Sequence, residues 1–271
     1  MPELPEVETI KRQLNRKIKG KKIKSVKINL PKLVKYPLKK FKNLVKEVKI
    51  NNITRRAKLL IVELSNNYYL IIHLKLSGQL IFNGIISKHT HLVYYFTKKN
   101  ILIHNDVRQF GFVKVISKDE LDDFFEKERF GPEPLSNKFN LKLFKELLLK
   151  RKKSKIKIIL MDQKFIAGIG NIYSDEILFF AGVLPSRKVE TLKNNEIKRI
   201  FQGIKEILKL AIKKRGTSSR DYFDIYGKKG NYVPLLKVYQ RGGKSCFSCK
   251  SKIKRIKMGS RSAHFCPKCQ K

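Results

Sequence analysis

Gly131-Pro132-Glu133-Pro134-Leu135 is the stretch that decides how this chain is divided. A glycine and two prolines so close together continue neither a helix nor a strand ladder, so the chain changes element there. The hydrophobic period changes with it. Upstream, KKIKSVKINL (21–30), VKEVKINNITRRAKLLIVELS (45–65), YYLIIHLKLSGQLIF (68–82), HLVYYFT (91–97) and NILIHNDVRQFGFVKVI (100–116) read as strands, with turns at Asn66-Asn67 and around Lys98-Asn100. Downstream, residues 141–149, 156–161, 172–181 and 197–211 carry a helical period, the last with Ile197, Ile200, Phe201, Ile204, Leu208 and Ala211 on one side. A polar helix over about 118–128 is expected just before the break. At the other end, Pro5 suits a first helical turn, Val7, Ile10, Leu14 and Ile18 repeat on one face, and Gly20 stops the helix. The expected fold is therefore α+β and multidomain. A leading helix with an antiparallel β-sandwich occupies 1–130, a helical domain 131–236, and a cysteine-bearing hairpin 237–271.

Charge narrows the partner. Sixty-two Lys and Arg against twenty-two Asp and Glu give +40, a field that attracts DNA, RNA or an anionic membrane surface. The 42% apolar share is that of a folded protein and argues against wholesale disorder. No run of about eighteen apolar residues exists to span a bilayer. The start MPELPEVETIKRQL has no apolar core of an export signal, so a cytosolic protein bound to nucleic acid is expected.

Cys246-x2-Cys249 and Cys266-x2-Cys269, sixteen residues apart, are the strongest local signal. Two such knuckles bring four thiolates to the corners of a tetrahedron, the arrangement zinc prefers. Four protein ligands leave no position for a catalytic water, so the expected cofactor is one structural zinc holding a hairpin too small to fold unaided. Residues 225–271 contain thirteen Lys or Arg and no Asp or Glu, which makes the ribbon a basic finger. Arg261 lies near its expected tip, where a guanidinium can grip a phosphate with two hydrogen bonds.

Pro2 follows the initiator methionine, and a small second residue permits its removal. The exposed secondary amine would titrate near about 8, against about 10 for a lysine, so part of it is a free nucleophile near neutrality. Such an amine attacks a sugar C1′ and forms an imine, while Glu3 and Glu6 offer carboxylates for proton transfer. Taken alone, Pro and Glu at a helix start read far better as residues favoured by a cap and the helix dipole than as catalytic groups.

MPELPEVET joined to the four-cysteine ribbon resembles the formamidopyrimidine-DNA glycosylases, the bacterial oxidised-purine glycosylases and lyases. RRAKLLIVEL, HLKLSG, HNDVRQFG, GPEPL, LMDQKFIAGIGNIYSDE and FCPKCQK match further family blocks in family order, so the resemblance runs the whole length. It implies that Pro2 is the Schiff-base nucleophile, Glu3 the proton shuttle for base release, Lys58 the acid of β-elimination, and Arg261 the phosphate clamp of δ-elimination. A wedge that replaces the extruded base is implied at Leu76, Arg108 and Phe110. Further DNA contacts fall to His89, Lys152, Lys157 and Asn171. The last opens a helix after Gly168-Ile169-Gly170, the family's helix-two-turn-helix, where exposed N–H groups favour an anion. The loop over 217–222 resembles one that covers the extruded purine. Leu76 stands where the family commonly has methionine, and Val107 and Gln109 replace frequent Pro and Arg, so loop shape and opposite-base preference stay open.

The reading is thus a monomeric base-excision-repair enzyme acting on double-stranded DNA with oxidised bases or abasic sites, in a bacterial cytoplasm at the nucleoid. The alternatives are an endonuclease VIII-like oxidised-pyrimidine glycosylase, disfavoured by the leucine in PELPE and by GPEPL, and a non-catalytic zinc-ribbon nucleic-acid-binding protein, which leaves the Pro2-Glu3 start unexplained.

Overall fold

The computed structural model describes residues 1–96, 99–218 and 222–271. Helix α1 (Leu4–Ile18) forms where the apolar stripe predicts it, with Val7, Ile10, Leu14 and Ile18 all at most 1% exposed. Burying each of these side chains contributes on the order of 1.5–3 kcal/mol. After Gly20, in a left-handed conformation (φ 79°), the chain enters β1 (Lys22–Ile28). There follow β2 (Val34–Lys35), α2 (Leu38–Val45), β3 (Val48–Arg56), β4 (Leu59–Leu64), β5 (Tyr68–His73), β6 (Gly78–Phe82), β7 (Thr90–Phe96), β8 (Ile101–Asp106), β9 (Phe112–Ser117) and α3 (Leu121–Glu128). Helix α2 buries only Phe41 and Val45, too sparse a pattern to declare a period in the lysine-rich sequence.

Strand order is β2-β9-β5-β4-β3-β1-β7-β8-β6. All pairings are antiparallel except β2 with β9. Strand β1 pairs with β3 only through Lys22 and Ile23, then continues along β7 across a bulge, so one ladder folds over into the two layers of the sandwich. Both layers and α1 share one apolar core, including Leu60, Leu80, Leu92 and Val113.

Three of the long strand-like runs each break in the middle at a non-glycine residue of positive φ: Ala57 (52°), Lys75 (49°) and Gln109 (57°). Such residues mark corners, because the left-handed region is costly for L side chains. The corners separate β3 from β4, β5 from β6, and β8 from β9. The β7–β8 turn includes Lys98, which lies outside the described residues; its closing bond runs from Phe96 N–H to Asn100 O at 2.8 Å.

Residues Ile212–Val233 cluster with the sheet, in a unit with Met1–Glu128. A boundary at 131–236 drawn from sequence assigns them to the helical segment instead. They are anchored to the sheet unit by polar contacts that no period encodes. Gln13 donates to Asp224 (3.1 Å) and accepts from Ile225 N–H (3.2 Å), while Phe82 N–H bonds Ile225 O (2.8 Å).

The second unit comprises Arg129–Ala211 and Pro234–Lys271. It contains α4 (Leu141–Leu149), α5 (Ile156–Met161), α6 (Asn171–Ala181), α7 (Asn194–Lys213) up to Ala211, and the hairpin β10 (Lys254–Met258) and β11 (Arg261–Phe265). Phe139, Phe144 and Phe165 stack edge-on in its helical core, beside buried Ile200, Ile204 and Leu208 of α7. Around the cysteines the hairpin buries Val238, Cys246, Ile253 and Cys266 in one small cluster, and β10 and β11 add Met258, Ala263 and Phe265. No helix among the described residues is long and apolar enough to cross a membrane.

Candidate active site and nucleic-acid interface

In the sheet unit, Pro2 is buried and Glu3 is 2% exposed at the N-cap of α1. Glu3 and Glu6 form a reciprocal capping box: Glu3 accepts from the Glu6 N–H, and Glu6 Oε2 accepts from the Glu3 N–H at 2.7 Å. The other Glu6 oxygen accepts from Thr217 N–H, also at 2.7 Å. Glu6 therefore sits between the head of α1 and the start of the 217–222 loop. Of that loop, Ser219, Arg220 and Asp221 lie outside the described residues.

Lys58 occupies the Ala57 corner and is only 7% exposed. The corner is held from behind by Arg55, which donates to Ala57 O (2.8 Å) and to Glu8 (3.2 Å). Glu8 also receives Lys11 and Arg12, and these cations together hold its carboxyl below the usual range although burial pushes it up. His73, paired with Leu59 across β4 and β5, is driven down to about 3, first by burial and then by Lys75 and Lys58. It is neutral at physiological pH and accepts from Lys75 N–H through Nδ1 (2.9 Å).

Leu76 sits half-buried at the second corner. Arg108 and Phe110 are exposed at the third, with the Arg108 guanidinium 5.2 Å from the Phe110 ring centre, in cation–π range. His89 ends the β6–β7 connection, partly exposed. The residues expected to act as a wedge thus share a feature invisible in sequence: they stand at corners, where side chains project beyond the sheet.

In the second unit, Lys152 is exposed and Asn171 opens α6 behind Gly170. The Asn171 Oδ1 is buried without a hydrogen-bond partner. Arg261 is exposed and faces Met258 across the Gly259-Ser260 turn, at the hairpin tip. Lys157 departs from its expected role as a phosphate contact. Its side chain is wholly buried, its ammonium paired with Asp175 and donating to Ser262 O (3.1 Å). An ammonium enclosed in this way has no open face for a phosphate; it fastens the carbonyl next to Arg261 instead.

Two carboxylates overlooked in the sequence complete that fastening. Asp175 accepts from both the backbone N–H and the ring of His264, each at 3.0 Å. Glu176 accepts the backbone N–H groups of Lys237, Val238 and Tyr239 at 2.8–3.0 Å. Burial pushes Glu176 above the usual carboxylate range, and those three donors pull it back. The available signal was an Asp-Glu pair inside the otherwise apolar helix NIYSDEILFFA, since buried carboxylates require partners.

The four cysteine Sγ atoms lie within 4.8 Å of one another, with Cys246 and Cys266 buried and Cys249 and Cys269 half-buried. Zinc–thiolate bonds of about 2.3 Å demand that clustering. The donor set fits one structural zinc, and its full complement of thiolates leaves no site for catalysis by the metal.

Residues 1–113 match the formamidopyrimidine-DNA glycosylase N-terminal domain, 130–222 its H2TH domain, and 243–271 the zinc finger found in FPG and IleRS. The formamidopyrimidine-DNA glycosylase of Carboxydothermus hydrogenoformans is 42% identical over the full length of both chains. That of Pelotomaculum thermopropionicum is 41% identical, covering 100% of this chain and 99% of the relative. The Lactococcus lactis Fpg in complex with abasic-site DNA superposes with a TM-score of 0.93 at 38% identity, over 99% of each chain. The chain belongs to the formamidopyrimidine-DNA glycosylase family.

Proposed function

We propose that this enzyme, a base-excision-repair glycosylase for oxidised purines with AP lyase activity, works through the α-amine of Pro2. The observation that carries the mechanism is the burial of Pro2 and Glu3 together at the head of α1. Removal of Met1 frees the proline nitrogen. The amine attacks C1′ of the damaged nucleotide, the glycosidic C–N bond breaks, and the base leaves with a proton managed by Glu3. Opening of the sugar gives an iminium. Loss of a C2′ proton then expels the 3′ phosphate, with Lys58 supplying acid, and a second elimination held by Arg261 expels the 5′ phosphate. Water then hydrolyses the imine, releasing the unsaturated sugar fragment and freeing Pro2, and a one-nucleotide gap with phosphate at both ends remains. Glu6 serves by keeping the head of α1 and the 217 backbone in place.

The substrate is double-stranded DNA carrying 8-oxoguanine, a formamidopyrimidine or an abasic site. Lactococcus lactis relatives have been solved with abasic and Fapy-dG DNA, which supports this choice. Leu76, Arg108 and Phe110 fill the space left by the extruded base, and His89, Lys152, Asn171 and Arg261 hold phosphates. The protein acts as a monomer in the cytoplasm, at the nucleoid.

The test is borohydride trapping on an 8-oxoguanine:cytosine duplex, beside a dihydrouracil duplex and a form retaining Met1. An adduct on the purine lesion that disappears when Met1 is retained is expected. Preferential trapping on dihydrouracil would assign the oxidised-pyrimidine class. No adduct and no nicking, from zinc-loaded protein lacking Met1, would leave a binding protein without catalysis.

A further inference from the structure

The corner loops that carry the wedge are joined to one another through a single carboxylate. Asp106 ends β8 and is 0% exposed. Its Oδ1 accepts from the Ser77 hydroxyl at 2.6 Å, on the corner of Leu76, and its Oδ2 accepts from Gly111 N–H at 2.7 Å, directly after Phe110. Its own N–H donates to His89 O at 3.0 Å, on the connection carrying the third contact. Ser77 closes the circuit, because its oxygen accepts from Arg108 N–H at 2.9 Å. Room for the arrangement is tight: a Cβ at Gly111 would stand 3.0 Å from Asp106 Oδ2 and 3.0 Å from His73 O.

We propose that Asp106, acting with Ser77, is a positioning residue that locks the two corners carrying Leu76 and Arg108-Phe110 into one rigid wedge. The inference rests on the wedge assignment made above for Leu76, Arg108 and Phe110. A carboxylate suits the task because both its oxygens are acceptors, so it takes a hydroxyl and an amide from different loops at once. Charge-assisted bonds inside a dry site hold their geometry better than neutral ones. Base extrusion asks two loops to enter the duplex in a fixed mutual register, and a loop free to shift by about 1 Å can lose up to a hundredfold in rate. Cleavage of an abasic site in a single strand needs no such register, since no base is extruded and no partner base is left behind.

The pairing predicts a substrate-dependent defect. Ser77→Ala removes the bridge but keeps the Asp106 link to Gly111. Asp106→Asn keeps an acceptor for Gly111 N–H but points a donor at Ser77, so it is the intermediate case. Both variants and the parent, compared by thermal melting to establish folding, are assayed for 8-oxoguanine release from duplex and for cleavage of a single-stranded abasic oligonucleotide. A 2-aminopurine next to the lesion reports entry of the wedge. We expect Ser77→Ala to lower kcat on the duplex by about tenfold with KM little changed, and to slow 2-aminopurine unstacking, while single-strand cleavage stays within about twofold. Asp106→Asn should fall between parent and Ser77→Ala. Equal losses on both substrates, or no loss on the duplex, overturn the proposal. Phe110→Ala and Arg108→Ala serve as comparators. If they leave the duplex-to-single-strand ratio unmoved, the wedge assignment itself fails and the proposal fails with it; if they lower it and Ser77→Ala does not, only the coupling through Asp106 is wrong.

Discussion

Glu6 Oε1 accepts the backbone N–H of Thr217 at 2.7 Å, a bond between residues 211 positions apart. Through its second oxygen the same carboxylate accepts the Glu3 N–H, so one side chain takes two backbone donors. Glu6→Ala removes the acceptor of both bonds, each worth about 1–3 kcal/mol when buried. Glu6→Gln keeps one acceptor and turns a donor toward the other N–H. The expected order of melting temperature and of borohydride trapping is parent, Glu6→Gln, Glu6→Ala. Gly216→Ala should also fail, because its φ is 82° and a Cβ would lie 2.6 Å from Glu6 Oε1.

Lys152 and Lys157 should separate cleanly by salt dependence. Neutralising an exposed phosphate contact reduces the slope of log K against log salt by roughly 0.9 for duplex DNA. Lys152→Ala is expected to show that reduction with an unchanged melting temperature. Lys157→Met should instead cost about 3–5 kcal/mol of stability, since Asp175 is left buried without its ammonium partner. Equilibrium unfolding together with binding titrations over a salt series distinguishes the two. A slope change in Lys157→Met without destabilisation would restore it as a phosphate contact.

Zinc removal should unfold the hairpin. The cluster around its thiolates is four buried residues, two of them cysteines, and structural zinc in small ribbons contributes on the order of 10–16 kcal/mol of apparent binding free energy. Chelation, or Cys266→Ser, is expected to abolish duplex binding and to expose the β10 and β11 amides to hydrogen exchange. Cobalt reconstitution should give the absorption bands of a tetrahedral thiolate site.

Acid should destabilise the sheet unit through two histidines. His73 is lowered to about 3 and His104 to about 4. Burial is the first cause in each; Asp106 opposes the fall at His104 and His91 adds to it. Unfolding restores both to about 6.5. Between those values the unfolded chain binds more protons, so stability is fully present above about pH 6.5 and is lost as pH falls toward 4, at up to about 1.4 kcal/mol per pH unit for each group. Both ring nitrogens of His104 lack hydrogen-bond partners. His104→Phe is therefore expected to be tolerated at pH 7 and to flatten the acid limb of melting temperature against pH. An unchanged acid limb would sink the assignment of that limb to His104.

Much of the molecule was legible from local chemistry. The stripe of α1, the short apolar runs of β4 and β7, the period of α4 and α7 and the two cysteine knuckles each declare themselves within about twenty residues, because a helix repeats its buried positions at a fixed spacing and a strand buried on both faces reads as an unbroken apolar run. The Pro2-Glu3 start and the ribbon pointed to the chemistry through motifs that are contiguous in the chain. Helix α2 was missed because two buried residues make no pattern. Lys157 was misplaced because a lysine's destination, solvent or an enclosed ion pair, depends on what lies opposite it.

The sequence by itself therefore determined most of the elements, the zinc ligands and the family, all written in short-range spacing. Only the tertiary structure decided that Glu6 holds Thr217, that Ile212–Val233 joins the sheet, that Asp175 and Glu176 fasten the hairpin, and that Asp106 ties Ser77 to Gly111. Most of these are hydrogen bonds that buried carboxylates accept from donors distant in the chain. A buried carboxylate must find such donors, but nothing in its own neighbourhood says which ones.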